Sequence, residues 1–208
     1  MMQDNRQVSA MCAHCGKASE VAFPALVNVK DHPELKEEVQ SGRIFVWRCP
    51  SCGTPGLLRA PLLYHDPDAR LMVWLSDGKP ETEQRMREAL ASGDGLEDYT
   101  LRVADGPGDL MEKVKIADAG LDDIAIELCK YVTCQELGRE VDLRFFRMEG
   151  PDNDLTLTYP EKGEMQMIQI GFNVYEDSAA IVRRNPAMKE KATGLVRVDR
   201  RWLAQFLG

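Results

Sequence analysis

The chain of 208 residues contains no apolar run that approaches the length of a membrane span. Residues 71–75 form one of its longest, far short of the roughly 20 residues a spanning helix needs. It also lacks a basic surplus: 26 Lys and Arg stand against 34 Asp and Glu, a formal charge of −8. That balance argues against a general nucleic-acid binder and against docking on an anionic membrane, since both need a cationic face. Histidine is scarce, and His14, His32 and His65 are too scattered for a His-Glu-x-x-His metallohydrolase. Gly106-Pro107-Gly108 lacks the lysine signature of a phosphate loop, and no Ser or Cys nucleophile stands beside a recognisable base. No low-complexity segment or fixed-period repeat is visible. The first residues carry neither a basic leader nor an apolar stretch of signal length, so the expectation is a soluble, cytoplasmic chain.

In a reducing compartment, paired cysteines bind metal or do redox chemistry more often than they form structural disulfides. Four of the six cysteines are paired, as Cys12-Ala13-His14-Cys15-Gly16 and Cys49-Pro50-Ser51-Cys52-Gly53. Two intervening residues let both sulfurs of a pair reach one ion across a tight turn, and the following glycine admits a backbone conformation closed to most residues. Two such turns supply four thiolates, which suits Zn²⁺. The expected metal ligands are therefore Cys12, Cys15, Cys49 and Cys52, and a closed four-thiolate site would be structural rather than catalytic.

Iron or an iron–sulfur cluster fits the same donors. Reversible disulfides in a thiol redox protein are a further alternative, although neither pair opens a helix in a βαβ setting. His14 could replace one thiolate, but all four cysteines are present, and it reads as a solvent-facing turn residue.

The acidity is local. Residues 1–76 and 141–208 are each balanced, whereas residues 77–140 hold 16 acidic and 8 basic side chains. That block reads mainly as solvated helix surface. Asp122, Asp123 and Glu127 within it read as a solvent-facing acidic cluster at a helix start. Cys129 and Cys134, five apart, do not share a helix face and read as buried free thiols. Trp47, Trp74, Tyr64 and Phe45 read as core rather than as a base-stacking platform.

Hydrophobic periodicity divides the chain. Short strands are expected near residues 21–23, 44–47, 57–64 and 71–75, with a helix opened by an Asp31 cap and ended at Gly42. A polar helix over 82–91 and a Gly/Asp-rich connection follow. Leu110, Val114, Ala117, Leu121, Ile124, Leu128 and Val132 then recur at steps of three or four, one kinked helix or two meeting at Gly120. Alternation after Gly138 predicts antiparallel strands near 143–148, 155–159, 168–172 and 195–198, then a last helix over 200–207 capped by Asp199. The fold class expected is α+β: a zinc-ribbon-like module over 8–76 with an inserted helix, and an α+β body over 77–208. The body comprises an acidic helical segment (77–140) and a C-terminal antiparallel sheet with a final helix (141–208).

Several separated motifs also resemble the bacterial CpXC domain. They are the two cysteine pairs, Pro33-Glu34-Leu35-Lys36 and Ser41-Gly42 between them, and Leu63-Tyr64-His65-Asp66-Pro67 after them. Leu110-Met111-Glu112-Lys113 and Gly120-Leu121-Asp122-Asp123 with Glu127-Leu128 complete the set. The resemblance covers roughly residues 8–135. Ala13 stands where the family name places a proline, which Pro50 keeps in the second pair. The resemblance implies the metal site and no activity. The functional expectation is thus an interaction or regulatory module with a structural zinc, whose partner is another protein. A homodimer through the helical stripe is allowed, membrane is excluded and nucleic acid is disfavoured. The alternatives are a thiol redox enzyme and a nucleic-acid-binding zinc ribbon.

Overall fold

Residues 5–207 are described by a computed structural model, in which the chain separates into two compact units. The first ends at Met111 and the second begins at Glu112. Strands β1 (Asn5–Met11) and β2 (Ala18–Pro24) open the first unit as an antiparallel hairpin, with Met11 opposite Ala18. Helix α1 (Glu34–Gln40) follows the short β3 (Leu26–Asn28). Its N-cap is Pro33 rather than Asp31, whose carboxylate instead accepts a hydrogen bond from the Asn28 side chain at 2.8 Å.

The strand expected at 44–47 is half replaced. Gly42, at φ 76°, turns the chain into a 3-10 turn over Arg43–Phe45, and only β4 (Val46–Arg48) is extended. The strand expected at 57–64 splits in two. β5 (Pro55–Leu57) pairs antiparallel with β4, whereas β6 (Leu62–Asp66) joins another sheet. Pro61 lies between them and has no N–H to carry a ladder onward.

That other sheet has the order β3-β6-β7-β8, with β7 at Leu71–Leu75 and β8 at Thr100–Ala104. β6 and β7 are antiparallel, while β3–β6 and β7–β8 are parallel. Every residue of β7 is buried, so it carries no polar alternation, only a continuous apolar run. β8 was not expected in the Gly/Asp-rich region. Helix α2 (Pro80–Ala91) supplies the long crossover that a parallel β7–β8 pair requires. Phe45, Trp47, Tyr64 and Trp74 are all buried, which makes them core.

The periodic stripe forms two helices, α3 (Pro107–Asp118) and α4 (Asp123–Glu136). They break at Gly120, whose φ of 69° ends α3. Asp122 caps α4, its Oδ1 accepting from the Ile124 N–H at 2.9 Å. The stripe residues Leu110, Val114, Ile124 and Leu128 are buried within the chain. In the second unit, β9 (Arg144–Glu149), β10 (Asp154–Glu161) and β11 (Glu164–Ile170) form an antiparallel sheet in the order β11-β10-β9.

Sequence reading missed α5 (Phe172–Arg184) and α6 (Pro186–Lys191). Of the strand expected over 195–198, only an isolated β-bridge at Val196 forms. Asp199 caps α7 (Arg200–Leu203) as expected, accepting from the Trp202 N–H at 2.8 Å. Helix α4 lies between two apolar clusters. Ile124, Ala125 and Leu128 pack with α5, α6 and α7, while Ile126 and Cys134 pack with Leu143, Phe145, Leu155 and Leu157 of the sheet side. The class is α+β. No helix among the described residues is long and apolar enough to cross a membrane.

Candidate metal centre

The two cysteine pairs build the same turn twice. In the first, the Gly16 N–H donates to the Cys12 carbonyl at 2.9 Å and the Cys12 N–H to the Lys17 carbonyl at 3.0 Å. In the second, Gly53 donates to Cys49 at 2.8 Å and Cys49 to Thr54 at 3.0 Å. Gly16 and Gly53 hold nearly equal left-handed angles, φ 70° and 72°. A β-carbon there is strained by about 1–2 kcal/mol. Gly53→Ala is accordingly expected to lower stability by that amount while metal content persists, as thermal melts with elemental analysis would show.

The turns bring Cys12, Cys15, Cys49 and Cys52 together, with all four sulfurs within 4.8 Å of one another. Cys12 Sγ lies 3.6 Å from Cys52 Sγ, and Cys15 Sγ lies 3.7 Å from Cys49 Sγ. A disulfide would need about 2.05 Å. Four sulfurs tetrahedrally disposed at about 2.3 Å from one ion stand about 3.8 Å apart, so the donor set and spacing fit a divalent metal. All six cysteines are free thiols, and Cys129 and Cys134 are buried, as expected. Cys12 and Cys49 are buried, whereas Cys15 and Cys52 reach the surface.

The sulfurs do not titrate alike. Hydrogen bonding from the Thr54 side chain and backbone, outweighing desolvation and helped by His14 and Cys12, lowers Cys52 to about 5. Cys15 is pushed up to about 11: a backbone hydrogen bond from Lys17 pulls the other way, but desolvation and the sulfurs of Cys12, Cys52 and Cys49 prevail. Four clustered thiols therefore resist becoming four thiolates unless a cation balances them. His14 is exposed and takes part as a hydrogen-bond neighbour of Cys52. Thr54, whose Oγ1 is 3.4 Å from Cys52 Sγ, was not singled out from the sequence; its place just after the second turn is the signal that could have found it.

Other residues of the family motifs form buried or partly buried ion pairs. Lys36 Nζ lies 3.2 Å from Asp66 Oδ2, which also accepts from the Tyr64 hydroxyl at 3.4 Å. Asp66 Oδ1 accepts from the Ala69 N–H at 3.1 Å and closes the turn between β6 and β7. In the second unit the expected solvent-facing acidic cluster is corrected. Asp122 is a helix cap, and Asp123 and Glu127 are buried. Lys113 Nζ donates to Asp123 Oδ2 at 2.8 Å and to the Val198 carbonyl at 2.9 Å. Lys130 Nζ donates to Glu127 Oε1 at 2.6 Å and to both Glu112 oxygens at 3.2 Å. Glu112 Oε1 also accepts from the Phe145 N–H at 2.6 Å, which ties α3 and α4 to β9.

Burial pushes the Glu127 carboxyl up, against the pull of Lys130 and Lys113. Burial pulls Lys130 down, but Glu112 and Glu127 outweigh it and hold the ammonium charged. Residues 10–130 match the family model described as CpXC protein, a stretch that contains the four cysteines and ends at Lys130. No curated protein and no solved structure matches the chain.

Proposed function

The chain belongs to the CpXC family, and we propose that it is a protein-interaction or regulatory module built around one structural zinc. The observation that carries this reading is the convergence of four sulfurs from two matching turns. Cys12, Cys15, Cys49 and Cys52 would hold the ion as thiolates. Bound there, zinc supplies a cross-link and neutralises thiolate charge, and a full four-thiolate shell offers no position for water or substrate. The same four thiolates suit iron; zinc is the ion proposed because a closed four-thiolate tetrahedron is the common form of a structural zinc site, and the metal content of the purified protein decides between the two.

Its partner would be another protein. Around the turns the first unit exposes apolar side chains that a monomer's surface gains nothing by showing: Met11, just before Cys12, and the directly paired Val46 and Leu57. The acidity of residues 77–140 supports a protein partner over nucleic acid or an anionic membrane.

Thiol titration of the native chain tests the reading against its two rivals. Zinc ligation predicts that the four paired cysteines stay unreactive until a chelator removes the metal, then react together. Rapid titration of metal-free protein would favour redox chemistry instead. Oligonucleotide affinity that falls steeply with salt would favour a nucleic-acid ribbon.

A further inference from the structure

We propose that strand β11 is a self-association edge, at which a second copy of this chain adds its own β11 antiparallel and extends the sheet to six strands. This edge is separate from the metal centre: β11 lies in the second unit and beyond the residues that match the family.

β11 is paired on one side only, in the order β11-β10-β9. Among the described residues, the backbone of Glu164–Ile170 makes no hydrogen bond outside that pairing with β10. Its free edge is therefore a row of donors and acceptors, which soluble proteins ordinarily blunt with charge, proline, a bulge or a covering element. None of these blunts β11. Its sequence, EMQMIQI, has one charge, at its first residue, no proline, and an unshifted seven-residue register with β10. The opposite edge is protected: β9 carries Arg144, Arg147 and Glu149, and its register with β10 is broken by a bulge.

The side chains make the same distinction. Side chains alternate across a strand, so Met165, Met167 and Gln169 share one face. Met165 is 58% and Met167 61% exposed, among the most exposed apolar residues of the chain. On the same face, the pairs that continue onto β10 are Pro160 and Thr158.

A second copy is the occupant because β11 is its own complement. Paired antiparallel about Met167, all seven residues overlap, Met167 faces Met167, and Met165 faces Gln169 of the other copy. Residues of like parity meet, so the exposed apolar face stays on one side of the joined sheet and no like charges oppose each other. A chain of charge −8 thus offers itself a strand with a single carboxylate, and the result is an isologous two-fold contact, the commonest kind in homo-oligomers.

Sedimentation velocity of the full chain tests this. Wild type is expected to dimerise in the micromolar range, and amides 165–169 to gain hydrogen-exchange protection as concentration rises. Met167→Lys places two ammonium groups opposite each other at the two-fold and should weaken self-association about tenfold or more, while Met167→Leu should keep it. Residue 167 is exposed, so neither substitution should move the melting temperature of the monomer. A chain that stays monomeric throughout, or a dimer indifferent to M167K, overturns the proposal, the latter by showing that another surface is used.

Discussion

Replacing Cys49 with serine is expected to abolish metal binding and unfold the first unit of the chain. Zinc content should fall from about one per chain to near zero. The magnitudes decide the outcome. Binding at a structural zinc site contributes about 10–16 kcal/mol of apparent folding energy near pH 7, whereas a whole domain is stable by only about 5–15 kcal/mol. The second turn joins β4 and β5, three residues each, which have little ladder of their own. Cys12→Ser should behave alike, and a strong chelator should reproduce both in the wild-type chain. Near-UV circular dichroism would report the loss of packing around Phe45 and Trp47. A C49S protein that kept wild-type metal content and melting temperature would contradict the zinc reading.

Lys130→Met is expected to cost about 3–5 kcal/mol, because it leaves Glu112 and Glu127 buried without their shared cation. Glu127 is 3% exposed, and its other lysine, Lys113, pairs with it only at 3.8 Å and donates its hydrogen bonds to Asp123 and the Val198 carbonyl, so it compensates in part for the ion pair that Lys130 makes at 2.6 Å. For a unit of this size the melting temperature should fall by roughly 15–25 °C. Adding Glu127→Gln to that variant should recover part of the stability, since a neutral amide of the same shape removes one buried charge. The pH dependence has a definite sign. The native state holds the Glu127 proton more readily than the unfolded chain does, since burial raises its carboxyl. Its contribution to stability therefore declines as pH rises from the unfolded carboxylate range through the raised value, and E127Q should flatten that portion of the profile. Guanidinium titrations across pH would measure both effects. A K130M chain within about 1 kcal/mol of wild type would show that the network is relaxed by water.

The cysteine centre was legible because its chemistry is local: two residues between sulfurs and a glycine after each pair dictate a turn whatever lies around it. The α3–α4 break was legible for the same reason, since Gly120 interrupts a stripe that otherwise continues. The ion-pair network was not. Asp123 and Glu127 sit on α4, and a stripe reading assigns a helix one buried face and one wet face. Helix α4 is enclosed by the sheet on one side and by α5, α6 and α7 on the other, so its polar positions are inside too. Its signal was present but weak, namely the Glu127–Lys130 spacing and the adjacent Glu112-Lys113 within an apolar helix. Helix α5 escaped because its helical period, Val174, Ser178 and Val182, includes a buried serine that hydrogen-bonds Cys129 at 3.4 Å and reads as a polar position. β8 escaped because a strand buried against a neighbour loses the alternation that marks strands elsewhere.

X-ray absorption at the zinc edge of the purified protein, with metal stoichiometry from the same sample, tests the structural-zinc reading most directly. The reading predicts about one zinc per chain in a shell of four sulfurs at about 2.3 Å, with no nitrogen or oxygen scatterer. Iron in place of zinc, a shell containing a light ligand, or metal-free folded protein would contradict it.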